Sequence, residues 1–521
     1  SAQNEDEFVG ETNGNIKADI IILGNNLPGI VAAHKLRQKF GSSMELLVLH
    51  LPKPEIVESK QNVAFTEKSS FDIVDNASIS KRLLCLYAND LNIPLYEAPP
   101  NLETANETHT KIFQYGNGDT VSCKEDYHTF SYLNFLERLE LNQYQRLIDG
   151  YMKELFYCKN KNIDVTNTLS YYDRTSMESH LCTCLAFNNS REIMRIIVRL
   201  VCGSSAKTVS LLFYLHQCYR TSGCRNHIDG SNTRLREKVL GCYRKRIKQK
   251  LLKCTNDITI TTENIDFIRT YSDEEVVLET PQGASYICNW LAMALRPDEL
   301  EKITLDERFI TDKVRASLTM NPGQAKKFFI SYRESFWRDK GFSGDILSVQ
   351  GPILWATEKP KYNSDERYPA LVGYINIVEN SQEAVLKQLE QLYGEAASDP
   401  LLYKESLIAD IFIPKAGDYV TITKPETSAF RLEWAALDIF ADGDVAGALQ
   451  AGHTAFVNLV NSLRPQAQSY EDVSVIQNPI ILEDFPVLYK WVAGINYISG
   501  LKAVAVSSVV IYLGYKLWKY T

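Results

Sequence analysis

A run of β-branched residues that ends at a glycine and leads into a helix constrains this chain more than any other feature. The run extends from Ile20 to Leu23, Gly24 ends it, and a helix with apolar residues at helical spacing begins near Gly29. This order of strand, tight turn and helix is typical of a dinucleotide-binding βαβ unit. The turn departs from the fingerprint G-x-G-x-x-G, because Asn26 stands where a second glycine would let the backbone approach a pyrophosphate.

The next strand raises the same doubt about a bound dinucleotide. We predict this strand at residues 45–49, and its end is where the fold places an acid that binds a ribose hydroxyl. His50 stands there instead. A histidine at a strand end is more often a surface residue than a ligand, and imidazole does not accept hydrogen bonds as a carboxylate does. Glu55 and Glu58 follow too late in the chain to be obvious substitutes.

Length and charge limit the possible classes of protein. A chain of 521 residues is too long for one simple core, so we expect two or three domains. The formal net charge of −8 argues against nucleic acid as the main partner. The 11 cysteines show no spacing typical of a secreted disulfide framework, which favours a reducing compartment.

Two further stretches carry residue types that bind ligands. His216 and Cys218, followed by Cys224 and His227, have the side chains of a zinc site. The first two lie on a predicted helix, where positions i and i+2 point in different directions, so buried or solvent-facing side chains are the favoured interpretation. The strongly basic stretch Arg234–Lys253 has apolar residues at helical spacing. It is either a patch for anionic lipid or an acidic partner, or a solvated helix face.

The C-terminal residues resemble a membrane anchor. Between Trp491 and Tyr515 the only charge is Lys502, near one end of the uncharged core. That core is only 13 residues long (503–515), whereas a span needs about 20, although a lysine near its end can snorkel. We predict a linker at 466–490 and a single-pass transmembrane anchor at 491–521; the alternative is a buried C-terminal helix.

Several motifs in sequence order resemble those of the flavin-dependent amine oxidases, and of the monoamine oxidases in particular. Glu334–Arg338 is similar to the family's E-x-F-W followed by a basic residue, and Trp290–Pro297 to a strand that ends in a proline-containing turn. Ser210–Cys218 resembles an aromatic helix of the substrate domain. Ala446–His453 resembles the E-G-A-V-E-A-G-E that opens the last helix in contact with FAD. The resemblance runs from about Ala18 to the end of the chain.

This resemblance implies an α/β, two-domain FAD-linked amine oxidase fold, with a Rossmann-like FAD domain, an α+β substrate domain and a C-terminal membrane helix. The FAD-type domain would comprise residues 16–100, 225–300 and 425–465, and the substrate-type domain would comprise residues 101–224 and 301–424. We predict that residues 1–15 form a disordered lead before the first domain. A C-terminal anchor is a monoamine oxidase trait, so the family implies the mitochondrial outer membrane, with the endoplasmic reticulum as the alternative.

The resemblance also implies which residues would act in catalysis. Lys327 matches the lysine that contacts the flavin through a water, with the neighbouring Lys326 as an alternative alignment and a solvent-facing lysine as the alternative role. Tyr419 matches one wall of an aromatic cage that orients the substrate amine, while the other wall falls on Asp444. Asp418 stands where the family has the cysteine that binds the flavin covalently, so a thioether cannot form at this position.

The family positions that would contact the cofactor are mostly altered. They are Gly24, Asn26, Gly29, His50, Asp418 and Asp438. Because several altered positions surround one ligand, we predict a pseudoenzyme that has lost FAD and acts as a binding or structural component of a membrane assembly. Its partner would be another protein or a second copy of the chain. The alternative is an active amine oxidase with non-covalent FAD, which oxidises a primary or secondary amine with oxygen.

Overall fold

The computed structural model divides into two compact units. It describes residues 15–52, 73–74, 81–93, 96–97, 110–125, 127–156, 165–222, 243–254, 258–272, 274–324, 326–359, 368–407, 411–423, 430–435, 445–474, 508 and 512. Unit 1 is drawn from Ser1–Thr66, Arg244–Thr319 and Thr421–Asn478, and unit 2 from Glu67–Tyr243, Met320–Val420 and Pro479–Thr521.

The described residues form helices in runs, such as α3 to α8, and strands in runs, such as β7 to β10. The helices are α1 (Leu27–Phe40), α2 (Lys81–Asp90), α3 (Phe135–Phe156), α4 (Val165–Arg174), α5 (Met177–Cys184), α6 (Asn188–Cys202), α7 (Leu211–Ser222), α8 (Tyr243–Cys254), α9 (Pro297–Leu300), α10 (Asp312–Leu318), α11 (Phe336–Asp339), α12 (Ser381–Tyr393), α13 (Tyr419–Thr423), α14 (Val445–Leu463) and α15 (Tyr470–Ser474). The strands are β1 (Ile16–Leu23), β2 (Leu46–His50), β3 (Ile73–Val74), β4 (Tyr96–Glu97), β5 (Thr110–Gln114), β6 (Thr120–Cys123), β7 (Thr259–Thr262), β8 (Phe267–Ser272), β9 (Glu275–Glu279), β10 (Ser285–Met293), β11 (Thr304–Leu305), β12 (Asn321–Pro322), β13 (Lys326–Ser331), β14 (Phe342–Ser348), β15 (Ile353–Glu358), β16 (Ala370–Ile375), β17 (Leu402–Leu407), β18 (Phe412–Ile413) and β19 (Leu432–Trp434).

Unit 1 is built on an eight-stranded sheet with β1 near its centre. The strand order is β11-β8-β9-β10-β1-β2-β7, and β19 also pairs with β10. β1 lies parallel to β10 on one side and to β2 on the other. Its last four residues, Ile20 to Leu23, are fully buried, as expected for a parallel strand covered on both faces. The apolar run in the sequence therefore forms the centre of this unit.

Helix α1 packs closely against α14 on one face of this sheet. The closest approach is at Gly452, where an added Cβ would lie 2.4 Å from the Pro28 carbonyl oxygen. Such a distance is well inside van der Waals contact, so only glycine allows the two helices to come this near. The contact fixes the start of α1, and with it the turn that connects α1 to β1.

Unit 2 contains a seven-stranded sheet and a group of helices. The strand order is β17-β13-β16-β15-β14-β5-β6, with antiparallel pairs throughout except for the parallel pair of β14 and β5. Apolar residues of β13 and α12, among them Phe328, Ile330, Val385 and Leu389, share one buried cluster. Helices α3, α4, α5 and α6 each pack against α7, and α6 also contacts β15. Side chains of unit 2 thus fill a core of their own.

The structure differs from the predicted elements in two places. The alternating pattern at 257–268 predicts one antiparallel strand, whereas β7 ends at Thr262 and pairs parallel to β2, and β8 begins only at Phe267. The apolar spacing at 127–158 predicts one helix, whereas α3 begins only at Phe135, because Tyr127–Thr129 form a 3-10 turn. Alternation alone encodes neither the partner strand nor its direction, which explains the first difference.

The predicted C-terminal membrane anchor is wrong, and so is the mitochondrial outer-membrane or endoplasmic-reticulum location that rested on it. Within the ranges given above, no helix has the length and apolar character needed to cross a membrane. Of residues 491–521 only Ser508 and Tyr512 are described. The physical weakness of the prediction is the short uncharged core at 503–515, since a span requires about 20 apolar residues.

The close contact between α1 and α14 makes a testable prediction about Gly452. Gly→Ala in a helix interior normally stabilises by about 1 kcal/mol. We expect Gly452→Ala to lower the free energy of unfolding by about 1–3 kcal/mol instead, because the new methyl group would meet backbone atoms of α1 that cannot move aside. Urea denaturation followed by circular dichroism measures the difference.

Gly116→Ala is the matched control. There the added Cβ would meet only the Val349 Cγ1 atom at 3.5 Å, which is an ordinary contact. We expect this control to stay within about 0.5 kcal/mol of the parent protein. A Gly452→Ala protein as stable as the control would contradict the close approach of α1 and α14.

Candidate functional site

The turn between β1 and α1 in unit 1 is held by two of the glycines that the sequence singled out. Gly24 has a φ of +106°, and a Cβ there would lie 2.2 Å from the Ala294 carbonyl oxygen. A Cβ on Gly29 would lie 2.6 Å from the Gly24 carbonyl oxygen and 2.8 Å from Ala294 Cβ. Both glycines therefore let the start of α1 pack against the residue that follows β10, as in a dinucleotide-binding unit.

Asn26 fills the place of the second fingerprint glycine, and its side chain has an internal partner. Asn26 is the N-cap residue of α1, but its side chain makes no capping hydrogen bond to the helix. Instead, its Nδ2 donates to the Ala294 carbonyl oxygen at 2.7 Å. Pro28 in the first helical turn also removes one N–H that could bind an anion at the helix start. The turn therefore does not fit the close approach of a pyrophosphate.

Asn25, the neighbouring residue of the turn, contacts the basic helix α8. Lys248 Nζ donates to Asn25 Oδ1 at 3.3 Å. Ile247 and Leu251 are fully buried, so α8 packs with one apolar face inward, as its helical spacing predicts. Residues 234–242 of the basic stretch lie outside the described residues. The described part thus places one lysine beside the turn.

His50 lies at the end of β2, where the fold would place a ribose-binding acid. The residue is half-buried, and its carbonyl oxygen accepts a hydrogen bond from the Glu263 N–H at 2.9 Å. A histidine at this position does not supply the carboxylate that would bind a ribose hydroxyl. Asp438, another of the altered family positions that would contact the cofactor, lies outside the described residues.

The two candidate lysines of unit 2 lie on opposite faces of β13. Lys326 Nζ donates to Ser381 Oγ at 3.0 Å and forms an ion pair with Glu405. It shares a face with Phe328, because side chains alternate along a strand. Lys327 is on the other face, where it pairs with Tyr374 of β16. The Tyr374 hydroxyl lies 3.5 Å from a carbonyl oxygen of α6, so Lys327 is on the side of the sheet that faces α6, whereas Lys326 is on the side of α12.

Tyr419, the predicted cage wall, is buried among residues of α7. Its hydroxyl is hydrogen-bonded to His216 Nδ1. The Phe213 ring meets the Tyr419 ring edge-on, with centroids 5.1 Å apart and planes at 79°. His216 was predicted from its spacing only as a weak zinc candidate, so the sequence missed this role. No signal connects residues 203 positions apart in the chain.

Asp173 holds the segment that carries Tyr419, and the sequence analysis missed it. Its Oδ2 accepts from the Val420 N–H at 3.0 Å, and its carbonyl oxygen from the Gly417 N–H at 3.0 Å. Its Oδ1 accepts from the Ser210 hydroxyl at 3.2 Å, and the Ser210 oxygen accepts from the Phe213 N–H at the start of α7. Burial raises the pKa of the Asp173 carboxyl above its usual value.

The remaining predicted positions are Asp418, Asp444 and the candidates for a metal site. Asp418 is half-buried, its N–H donates to the Lys415 carbonyl oxygen, and its carboxyl group cannot form a thioether. Asp444, Cys224 and His227 lie outside the described residues. Among the residues that the structure does describe, no three His, Cys, Asp or Glu side chains are grouped so that they could hold a metal ion.

Comparisons with known proteins agree with the two-unit α/β architecture. Residues 260–411 match the family model described as flavin containing amine oxidoreductase. The probable flavin-containing monoamine oxidase A of Dictyostelium discoideum is 20% identical over 460 residues, which cover 83% of this chain and 95% of that protein. The flavin-containing amine oxidase A of Canis lupus familiaris is 21% identical over 412 residues, covering 74% of this chain and 72% of that one.

Solved structures with low sequence identity share the fold. Wild-type putrescine oxidase bound to putrescine is 13% identical, with a TM-score of 0.67 over 86% of this chain and 100% of that chain. Cyclohexylamine oxidase from Brevibacterium oxydans IH-35A is 16% identical, with a TM-score of 0.66 over 86% and 99%. These solved structures show the fold, and the family model together with the relatives that span most of the sequence supports the chain as a member of the flavin-containing amine oxidase family.

Proposed function

We propose that this chain is a member of the family that has lost tight FAD binding and amine oxidation. In this proposal it acts as a binding or assembly component, and its partner is another protein or a second copy of the chain. The observation that carries the proposal is the hydrogen bond of Asn26. This residue occupies the second fingerprint position, and its side-chain amide donates to the Ala294 carbonyl oxygen. A side chain held in this way stands where a glycine would let the backbone approach a pyrophosphate.

The scale of the expected loss of affinity supports the proposal. Replacing a ribose-binding acid by His50 removes a charge-assisted hydrogen bond, which contributes about 1.5–3 kcal/mol. Asn26 and Pro28 remove backbone contacts to the phosphates, each worth about 1 kcal/mol or more. Because about 1.4 kcal/mol corresponds to a tenfold change in Kd, these changes together weaken FAD binding by several orders of magnitude.

The environment of Tyr419 supports the loss of catalysis. Its hydroxyl is engaged with His216, and its ring is packed edge-on against Phe213. The predicted opposite cage wall is Asp444, an acid and not an aromatic residue. A cage with a single aromatic wall orients a substrate amine poorly, because a cation is held best between ring faces.

A second candidate function is an active amine oxidase with non-covalent FAD. It is favoured by Lys327, which is separated from the ion-paired Lys326 and lies on the face of β13 toward α6. Tyr419 also remains a buried aromatic residue. In this alternative FAD would supply the redox chemistry, and Asp418 would leave it without a thioether to the protein.

The flavin content of the purified protein distinguishes the two functions. We expect no absorbance band near 450 nm (roughly where flavins absorb) and no FAD in the supernatant of the denatured protein, even after incubation with excess FAD, because the turn does not fit a pyrophosphate. A recombinant family member with an intact fingerprint turn is the positive control. Stoichiometric FAD in this protein would contradict the pseudoenzyme.

If flavin and turnover are found, the two lysines of β13 provide a matched pair. We expect Lys327→Met to lower kcat by at least about tenfold without releasing flavin, as for loss of one positioned polar group near the reacting atoms. Lys326→Met should leave kcat unchanged, since Lys326 is occupied by Glu405 on the other face. Equal effects of the two substitutions on kcat would show that Lys327 has no specific role in turnover.

A further inference from the structure

We propose that Asn25 and Asn26 form a clasp that closes the β1–α1 turn with the protein's own groups, in the place that a dinucleotide pyrophosphate occupies in related folds. The clasp joins the turn to the end of β10 through Asn26 and to α8 through Asn25. The inference rests on the proposed function, because a turn that closes on itself is expected where no dinucleotide is bound.

Hydrogen-bond polarity assigns a distinct role to each asparagine. The partner of Asn26 is a backbone carbonyl oxygen, so Asn26 must donate through its amide nitrogen. The partner of Asn25 is the Lys248 ammonium, which has no acceptor, so Asn25 must accept through its amide oxygen. Neither assignment depends on the orientation chosen for the amide, because each partner has only one possible polarity.

The two contacts reach different elements, which is why they act as a clasp. Ala294 follows β10, the strand that pairs with β1 along its whole length, and its N–H already donates to the Leu23 carbonyl oxygen. The Asn26 bond therefore adds a second connection at the same strand ends. Lys248 belongs to α8, whose buried Ile247 and Leu251 fix the helix in unit 1. The Asn25 bond connects the turn to this helix.

The positive end of α1 contributes to the same arrangement. A helix start carries partial positive charge and in dinucleotide-binding folds attracts phosphate. Here the carboxamide oxygen of Asn25 and the ammonium of Lys248 meet beside that helix start. The oxygen of Asn25 thus gives the Lys248 ammonium a hydrogen-bond acceptor within the protein at the place where a phosphate would otherwise be attracted.

Isosteric Asn→Asp substitutions at the two adjacent positions test the clasp. Asn26→Asp replaces the donor by a carboxylate that faces a carbonyl oxygen. We expect it to lower the midpoint of thermal unfolding at pH 7 by roughly 3–8 °C. Asn25→Asp keeps an acceptor for Lys248, so its midpoint should be unchanged or raised. Both variants add one negative charge at the start of α1, so the effect of that charge on the helix is common to them and their difference reports how each new carboxylate suits its partner, a carbonyl oxygen or an ammonium.

The pH dependence of Asn26→Asp is a second readout. Three groups act on the pKa of the new carboxylate in the folded state: the Ala294 carbonyl oxygen raises it, whereas the start of α1 and the Lys248 ammonium lower it. Because the carbonyl oxygen is in direct contact, we expect it to dominate and to keep this pKa above the usual value of about 4. The folded state then binds the proton more tightly, so the penalty grows as pH rises above about 4 and is absent below it. The deficit relative to the parent protein should therefore shrink between pH 7 and pH 4.

The outcomes separate the clasp from the proposed function. Equal midpoints for Asn25→Asp and Asn26→Asp, or a deficit that does not change with pH, would overturn the clasp. If Asn26→Asp does not fold, Asn26→Ala replaces it: a lowered midpoint supports the clasp, and an unchanged one overturns it. Stoichiometric FAD in the parent protein, with the two aspartate variants still differing, would contradict the proposed function and leave the clasp in place.

Discussion

The hydrogen bond from the Asn26 amide to the Ala294 carbonyl oxygen is the contact on which the arrangement of unit 1 depends most. It joins the turn after β1 to the residue after β10 at the centre of the sheet. Gly24 and Gly29 allow the close approach that this bond requires, since a side chain at either position would meet backbone or side-chain atoms within 3 Å. Gly452 of α14 has a similar role from the other side of α1. The glycines of the fingerprint thus serve packing, whatever the turn binds.

Unit 2 has a comparable polar anchor of its own. Asp173 accepts hydrogen bonds from Val420, Gly417 and Ser210, and so connects the end of α4, the start of α7 and the segment that leads into α13. Because Asp173 is fully buried, leaving any of these donors unpaired would be unfavourable. The network fixes Tyr419 between Phe213 and His216. Tyr419, the residue predicted to form an amine-binding wall, thus has hydrogen-bond and ring contacts with α7.

Local sequence patterns predicted the parts of the fold that are determined locally. The apolar run of β1 and the helical spacing of α1 are continuous signals, and the structure confirms both elements within a few residues. The pairing of β7 with β2 and the contact of His216 with Tyr419 join distant parts of the chain. Neither leaves a pattern in the residues beside it. The predicted C-terminal anchor was wrong because the prediction gave more weight to the aromatic and apolar composition of the segment than to the shortness of its uncharged core.

Sequence motifs identified the positions of the candidate site but not the state of their side chains. Asn26 is visible in the sequence as a missing glycine, whereas its bond to Ala294 is visible only in the structure. The same holds for Lys326, whose ion pair with Glu405 separates its role from that of Lys327. A substitution in a motif becomes interpretable once the partner of the new side chain is known.

Hydrogen exchange of the backbone amides at 23–31, measured with and without excess FAD, tests the central claim most directly. A protected backbone amide exchanges only when the structure around it opens, so the exchange rates report how stable the turn is. We expect slow exchange in the protein alone and the same rates with FAD, because the turn is closed by the Asn26 bond. Fast exchange in the protein alone that slows on addition of FAD would contradict the account, since the turn would then depend on the dinucleotide.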